Sequence, residues 1–184
     1  VLQTCKAFQK AGMSAEYEHV VAHFRKHVDT IVENGLNYPK HEVNYEQTIV
    51  TPAVTFISEF ALISGEERYA HEAEKHIKAL ARFNGHQPSC YMNETPIRYW
   101  DDFWFGSGRL QGDTFPHYWS CLTARSYIDY YNASGDETYK LAAEECIRNC
   151  FCLFNEKGEG SCAYVYPYRV NDSKGEFYDT WAND

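Results

Sequence analysis

Apolar residues recur at three- and four-residue steps through most of this chain, the spacing that lines one face of an α-helix. From Ala15 to Glu33 the residues Tyr17, Val20, Val21, Phe24, Val28, Ile31 and Val32 share such a face. Ser14 stands where an N-cap is expected, and Gly35 falls just past the end. A second helix is predicted over Glu46 to Ile63, with Pro52 taken up as a kink or in the first turn. A third runs from Glu66 to Phe83 and stops at Asn84-Gly85. A fourth covers Pro116 to Asn132, its proline suited to the first turn, and a fifth covers Asp136 to Phe154. The glycines that follow, together with SCAYVYPYRV, predict a short β-hairpin or an extended excursion.

The helices repeat. Ile63-Ser64-Gly65-Glu66-Glu67-Arg68-Tyr69 aligns with Ala133-Ser134-Gly135-Asp136-Glu137-Thr138-Tyr139 at an offset of seventy residues. The match continues through Ala73/Ala143, Glu74/Glu144 and Ile77/Ile147, and upstream through Tyr45-Glu46-Gln47 and Phe115-Pro116-His117. The unit is a loop, a helix, a tight Ser-Gly-acid turn and a second helix. The acid is expected to cap that second helix and to favour its positive end, while the tyrosine packs the turn. One helical pair cannot bury its own apolar face, so the pairs are expected to stack side by side. The long connections Leu36 to Tyr45 and Gly85 to Thr114 then fall at one end of the array.

Composition narrows the partners. The 184 residues suit one domain, 1–184, with a sizeable core, and 44% hydrophobic with 23% charged residues is ordinary for a globular protein. A formal charge of −9 argues against a nucleic-acid backbone as partner, since phosphates want clustered Lys and Arg. No segment approaches the ~20 apolar residues of a membrane span, so no membrane partner is expected. The opening VLQTCKAFQKAGM lacks a basic region followed by an apolar core, the mark of a signal peptide. Seven irregularly spaced cysteines do not form a disulfide framework. Most of them read as small buried hydrophobes in a reducing compartment, which favours the cytoplasm.

The segment from Tyr99 to Trp119, YWDDFWFGSGRLQGDTFPHYW, holds eight aromatic residues, three aspartates and a histidine. Gly106, Gly108, Gly112 and Pro116 break it repeatedly, which predicts loop. Flat apolar rings beside carboxylates and an imidazole suit a carbohydrate: Trp and Tyr stack on the C–H face of a sugar, and Asp and His handle its hydroxyls.

YEQTIVTPA (Tyr45 to Ala53), IRYWDDFWFG (Ile97 to Gly106), GDTFPHYWS (Gly112 to Ser120) and the two Ser-Gly turns carry a resemblance to the six-hairpin glycosidase superfamily, the (α/α)6 toroids. These include unsaturated glucuronyl and rhamnogalacturonyl hydrolases and several polysaccharide lyases. The resemblance covers roughly Ser14 to the end. It implies an all-α fold of antiparallel helical hairpins, part of an (α/α)6 toroid, with long aromatic loops at one end. A toroid has six hairpins and this chain supplies about three, so it is expected to be part of a larger catalytic unit.

Within that frame Asp101, Asp102 and Asp113 are the candidate acid/base carboxyls, since glycoside hydrolysis uses two across the scissile bond. Their structural alternatives are a cap on the following helix for Asp113, and ion pairs with Arg98 or Arg109 for Asp101 and Asp102. His117 is a candidate base or hydroxyl ligand, placed by the periodicity in the first turn of the fourth helix. Tyr118 shares its space, and Arg98 orients substrate. Glu46 and Gln47 are second-rank substrate contacts, and Trp100, Trp104 and Trp119 are stacking platforms, with core packing the alternative. His19, His23 and His27 lie at i, i+4 and i+8 and read as a solvated stripe, with no metal expected. No phosphate loop or GxSxG elbow is present, and no cofactor is expected. The expected function is hydrolysis of a glycosidic bond in an oligosaccharide or polysaccharide. The alternatives are a uronate lyase with His117 or Tyr118 as base, and a non-catalytic helical-repeat module binding a glycan or protein. The oligomeric state stays open.

Overall fold

The computed structural model describes residues 2–37, 47–81, 84–85, 95–96, 114–117, 119–151, 153–160, 163–165, 169–170 and 173–174. Its framework is helical: α1 (Leu2–Lys10), α2 (Ser14–Asn34), α3 (Gln47–Ser64), α4 (Glu67–Ala81), α5 (Trp119–Ser134) and α6 (Glu137–Phe151), with a 3-10 turn at Gly35–Asn37. The described strands are short and pair as three two-stranded ladders: β1 (Asn84–Gly85) with β2 (Thr95–Pro96), β3 (Thr114–His117) with β4 (Ala163–Val165), and β5 (Arg169–Val170) with β6 (Ser173–Lys174).

Two local expectations are corrected. Ser14 is the first helical residue of α2 rather than its cap; Met13 holds the cap position and offers no side-chain bond. The reason lies upstream, in a helix that periodicity did not reveal. α1 ends at Lys10, Gly12 just beyond it turns the chain with a φ of 72°, and Met13 N–H donates to Phe8 O at 3.0 Å. At the other end of α2, Gly35 at φ 55° donates its N–H to Ile31 O and Val32 O and closes the helix as expected. The second correction concerns SCAYVYPYRV. Its described residues Ala163–Val165 and Arg169–Val170 are strands, but they do not pair with each other as a hairpin: β4 pairs with the distant β3, while β5 pairs with β6.

The seventy-residue repeat is a physical repeat. Gly65 and Gly135 stand at φ 70° and 76°, and their N–H groups donate to Ala61 O at 2.9 Å and Tyr131 O at 2.7 Å. Ser64 Oγ accepts from Glu66 N–H at 3.3 Å and Ser134 Oγ from Asp136 N–H at 3.2 Å. Tyr69 meets Phe60 edge to face at 4.9 Å, and Tyr139 meets Tyr130 at the same 4.9 Å. These aromatic pairs contribute about 0.5–1.5 kcal/mol each beyond their buried area.

The acids diverge. Asp136 Oδ1 caps α6 by accepting from Thr138 N–H at 3.0 Å. Glu66 instead pairs with Arg25 of α2 and, at 3.0 Å, with Arg68. Those guanidiniums hold its carboxyl below the usual range, Arg25 most strongly. The buried Tyr69 joins this network: its hydroxyl donates to Asp29 Oδ1 at 2.8 Å and accepts from Arg25 and Arg68. The first repeat has thus given up its cap to bind α2.

α3 lies at the centre, packed against α1, α2, α4 and α5. Ile57, Ser58, Glu59, Phe60 and Ala61 are all buried in succession, which requires neighbours on every side. Around it Val28, Tyr69, Ala73, Ile77, Leu80, Ala124, Tyr127, Ala143 and Cys146 complete one core. Each large apolar side chain here is worth ~1.5–3 kcal/mol of burial.

His76 is a buried polar member of α4, and its Nε2 meets no hydrogen-bond partner among the described residues. Burial, aided by Lys75, lowers its pKa from 6.5 to about 4.

Two tests follow from this packing. Added methyls at Gly65 and Gly135 would meet nothing within 4 Å, so only the positive φ resists them. Gly65→Ala and Gly135→Ala should each cost about 1 kcal/mol in urea unfolding, and asparagine less. The unfolded chain protonates His76 near pH 6.5, whereas the folded chain resists until near 4, so its stabilisation is complete above 6.5 and fades as pH falls between these values. Acid unfolding of wild type should lose up to about 3 kcal/mol over that window relative to His76→Gln.

Candidate functional site

The site is set by which helix ends share a side. α3 and α4 run antiparallel across the Gly65 turn, as α5 and α6 do across Gly135. Asn84, just past α4, donates from Nδ2 to Tyr127 of α5 at 3.3 Å, while Glu74, further back in α4, senses Asp136 beyond the other end of α5. α4 and α5 are therefore also antiparallel, and α3 and α5 parallel. The starts of α3 and α5 and the ends of α4 and α6 consequently fall together.

The flanks of the aromatic segment attach to that end. Asn84↔Pro96 and Gly85↔Thr95 pair on one flank, and Thr114↔Val165 and His117↔Ala163 on the other. β2 touches β3 and α5, and β3 touches α6. Among the expected site residues, Gln47 and Trp119 are the first residues of α3 and α5. His117 is the last residue of β3, which corrects its expected place in a first helical turn. Thr114 and Phe115 favour strand, and Pro116, which has no N–H to give to a ladder, stands where the ladder register shifts. Glu46, Arg98, Trp100, Asp101, Asp102, Trp104, Asp113 and Tyr118 lie outside the described residues, as do the side chains of Gln47, His117 and Trp119.

Within the α3–α5 seam sits a charged cluster that motif reading missed. The buried Glu59 accepts from Arg125 Nη2 at 3.1 Å, and Arg125 Nε lies 3.5 Å from Asp129 Oδ2, an ion pair too long for a good hydrogen bond. Burial raises the Asp129 carboxyl, Glu59 pushes the same way, and Arg125 opposes both. Thr55 and Ser126 hydroxyls meet alongside at 3.1 Å. The available signal was the repeat itself, because Glu59 and Asp129 are seventy residues apart and equivalent. The Glu59–Arg125 pair ties α3 to α5, while Asp129 holds the same guanidinium from one turn along α5.

A second feature is a largely apolar cleft of about 430 Å³ between α2 and α3, lined by Phe24, His27, Ile31, Pro52, Ala53 and Phe56. His27 Nε2 at its rim is 3.4 Å from His23 Nε2. Among the described residues no group of three or more His, Cys, Asp or Glu side chains is placed to hold a metal ion. None of their helices is long and apolar enough to cross a membrane.

A solved structure described as a polysaccharide lyase is 48% identical to this chain, matching 95% of it with a TM-score of 0.74. The chain spans 26% of that protein's length. No protein-family model and no curated protein matches the chain.

Removing the shared cation should expose the cost of the seam. Arg125→Met leaves Glu59 buried without its guanidinium and should lower unfolding stability by about 1–3 kcal/mol. Adding Glu59→Gln should restore part of that loss, read as a coupling in a double-mutant cycle.

Proposed function

We propose that this chain contributes to a carbohydrate-active enzyme that cleaves a uronate-containing polysaccharide by β-elimination. The observation that carries this reading is the 48% identity to a polysaccharide lyase across 95% of the chain. It moves the lyase alternative ahead of the hydrolysis expected from paired aspartates. Elimination needs a base for the C5 proton of the uronate and a cation beside its carboxylate, where charge builds as that proton leaves. His117 or Tyr118 takes the proton and Arg98 faces the carboxylate. The electron pair forms the C4–C5 double bond as the C4 oxygen departs. Trp100, Trp104 and Trp119 stack on the sugar rings. Asp101, Asp102 and Asp113 bind hydroxyls, with Glu46 and Gln47 contributing from the start of α3. The parallel α3 and α5, whose starts lie on the same side, support the convergence of these groups.

The polypeptide carrying this chain should release unsaturated products absorbing in the near ultraviolet from uronate polysaccharides. His117→Ala or Tyr118→Phe should lower kcat by roughly 10²–10⁴, the scale of a lost general base. New reducing ends without that absorbance, abolished by Asp113→Asn, would establish hydrolysis instead. Retained glycan binding with no product of either kind would establish a binding module.

A further inference from the structure

Cys121 and Cys150 come from different helices, 29 residues apart in sequence, yet their Sγ atoms are 3.2 Å apart. Cys121 lies in the first turn of α5 and is exposed, whereas Cys150 is the penultimate residue of α6 and is 7% exposed. The hairpin turn at Gly135 is at the far end of both helices, so the two thiols sit where α5 begins and α6 finishes. A disulfide bond is about 2.05 Å long, so closure needs the sulfurs to approach by roughly 1 Å.

We propose that Cys121 and Cys150 form a thiol–disulfide modification site that ties the start of α5 to the end of α6. The oxidant is a low-molecular-weight disulfide. The Cys121 thiolate attacks one of its sulfurs, forming a mixed disulfide and releasing one small thiol. Cys150, on losing its proton, attacks the Cys121 sulfur and expels the second small thiol. Two protein thiols give up two electrons and two protons in all, and one small disulfide becomes two thiols. The order follows from access: Cys121 meets solvent, and Cys150 is buried behind it. The bond would fasten the first turn of α5 two residues beyond Trp119 and four beyond His117, the described edge of the aromatic segment. Cys121 is thus an exception to the expectation that most of these cysteines are small buried hydrophobes.

The test is incubation of the folded chain with oxidised glutathione, followed by alkylation and peptide mass mapping. The expected result is loss of two alkylatable thiols, a mass lower by two hydrogens, and a peptide linking Cys121 to Cys150. The oxidised form should melt about 5–10 °C higher than the reduced form, a difference that dithiothreitol and Cys121→Ser each remove. Cys150→Ala should stop the chain at a glutathione adduct on Cys121, and should Cys150→Ala not fold, the Cys121→Ser melting comparison decides. A persistent adduct in wild type, or a link from either residue to another cysteine, would overturn the proposal. So would an unchanged thiol count.

Discussion

The fold depends on a tight turn used twice. A glycine at positive φ reverses the chain, a serine hydroxyl accepts the next N–H but one, and a tyrosine four residues beyond the glycine seals the turn against a ring on the incoming helix. Because Phe60–Tyr69 and Tyr130–Tyr139 have the same separation, the two hairpins leave their turns with similar geometry. Helix direction then alternates across the array, and α3 and α5 become parallel. The starts of α3 and α5 and the ends of α4 and α6 therefore lie on the side away from the turns.

What distinguishes the repeats is what each packs against. α2 lies over the first turn, so Glu66 exchanges a cap for ion pairs with Arg25 and Arg68, and Tyr69 is drawn fully into the core. The second turn has no such neighbour among the described residues, and Asp136 remains a cap. Burial diverges similarly: Ile77 is 0% exposed, but its equivalent Ile147 is 43% exposed. α4 is covered by α5, whereas α6 meets no later helix within the described residues.

The seam between α3 and α5 shows charge used for register. Glu59 and Asp129 occupy equivalent repeat positions; parallel packing brings Glu59 of α3 to the Arg125 guanidinium, which Asp129 reaches from one turn further along α5. The buried Glu59 and half-buried Asp129 carboxylates would repel, and Arg125 offsets that while its own outer face stays in solvent. The cluster lies part-way along the helices, away from the connections. It orders the scaffold on which the aromatic segment is mounted.

Five helices, their periodic faces and the Ser-Gly turns were legible in the sequence, because 3.6-residue periodicity and positive-φ glycines are local properties. α1 was not, since nine residues with few apolar positions leave too weak a pattern. Nor was the strand at Thr114–His117, whose conformation depends on pairing with Ala163–Val165, a partner some fifty residues distant. The candidate carboxylates and rings were legible as residue types, yet composition carries no information about which of them converge. By itself, then, the sequence determined the repeating hairpin and its turn chemistry. Tertiary structure alone decided which acid caps and which pairs, which thiols meet, and where His117 stands, because each of these depends on atoms brought close by packing rather than by succession along the chain.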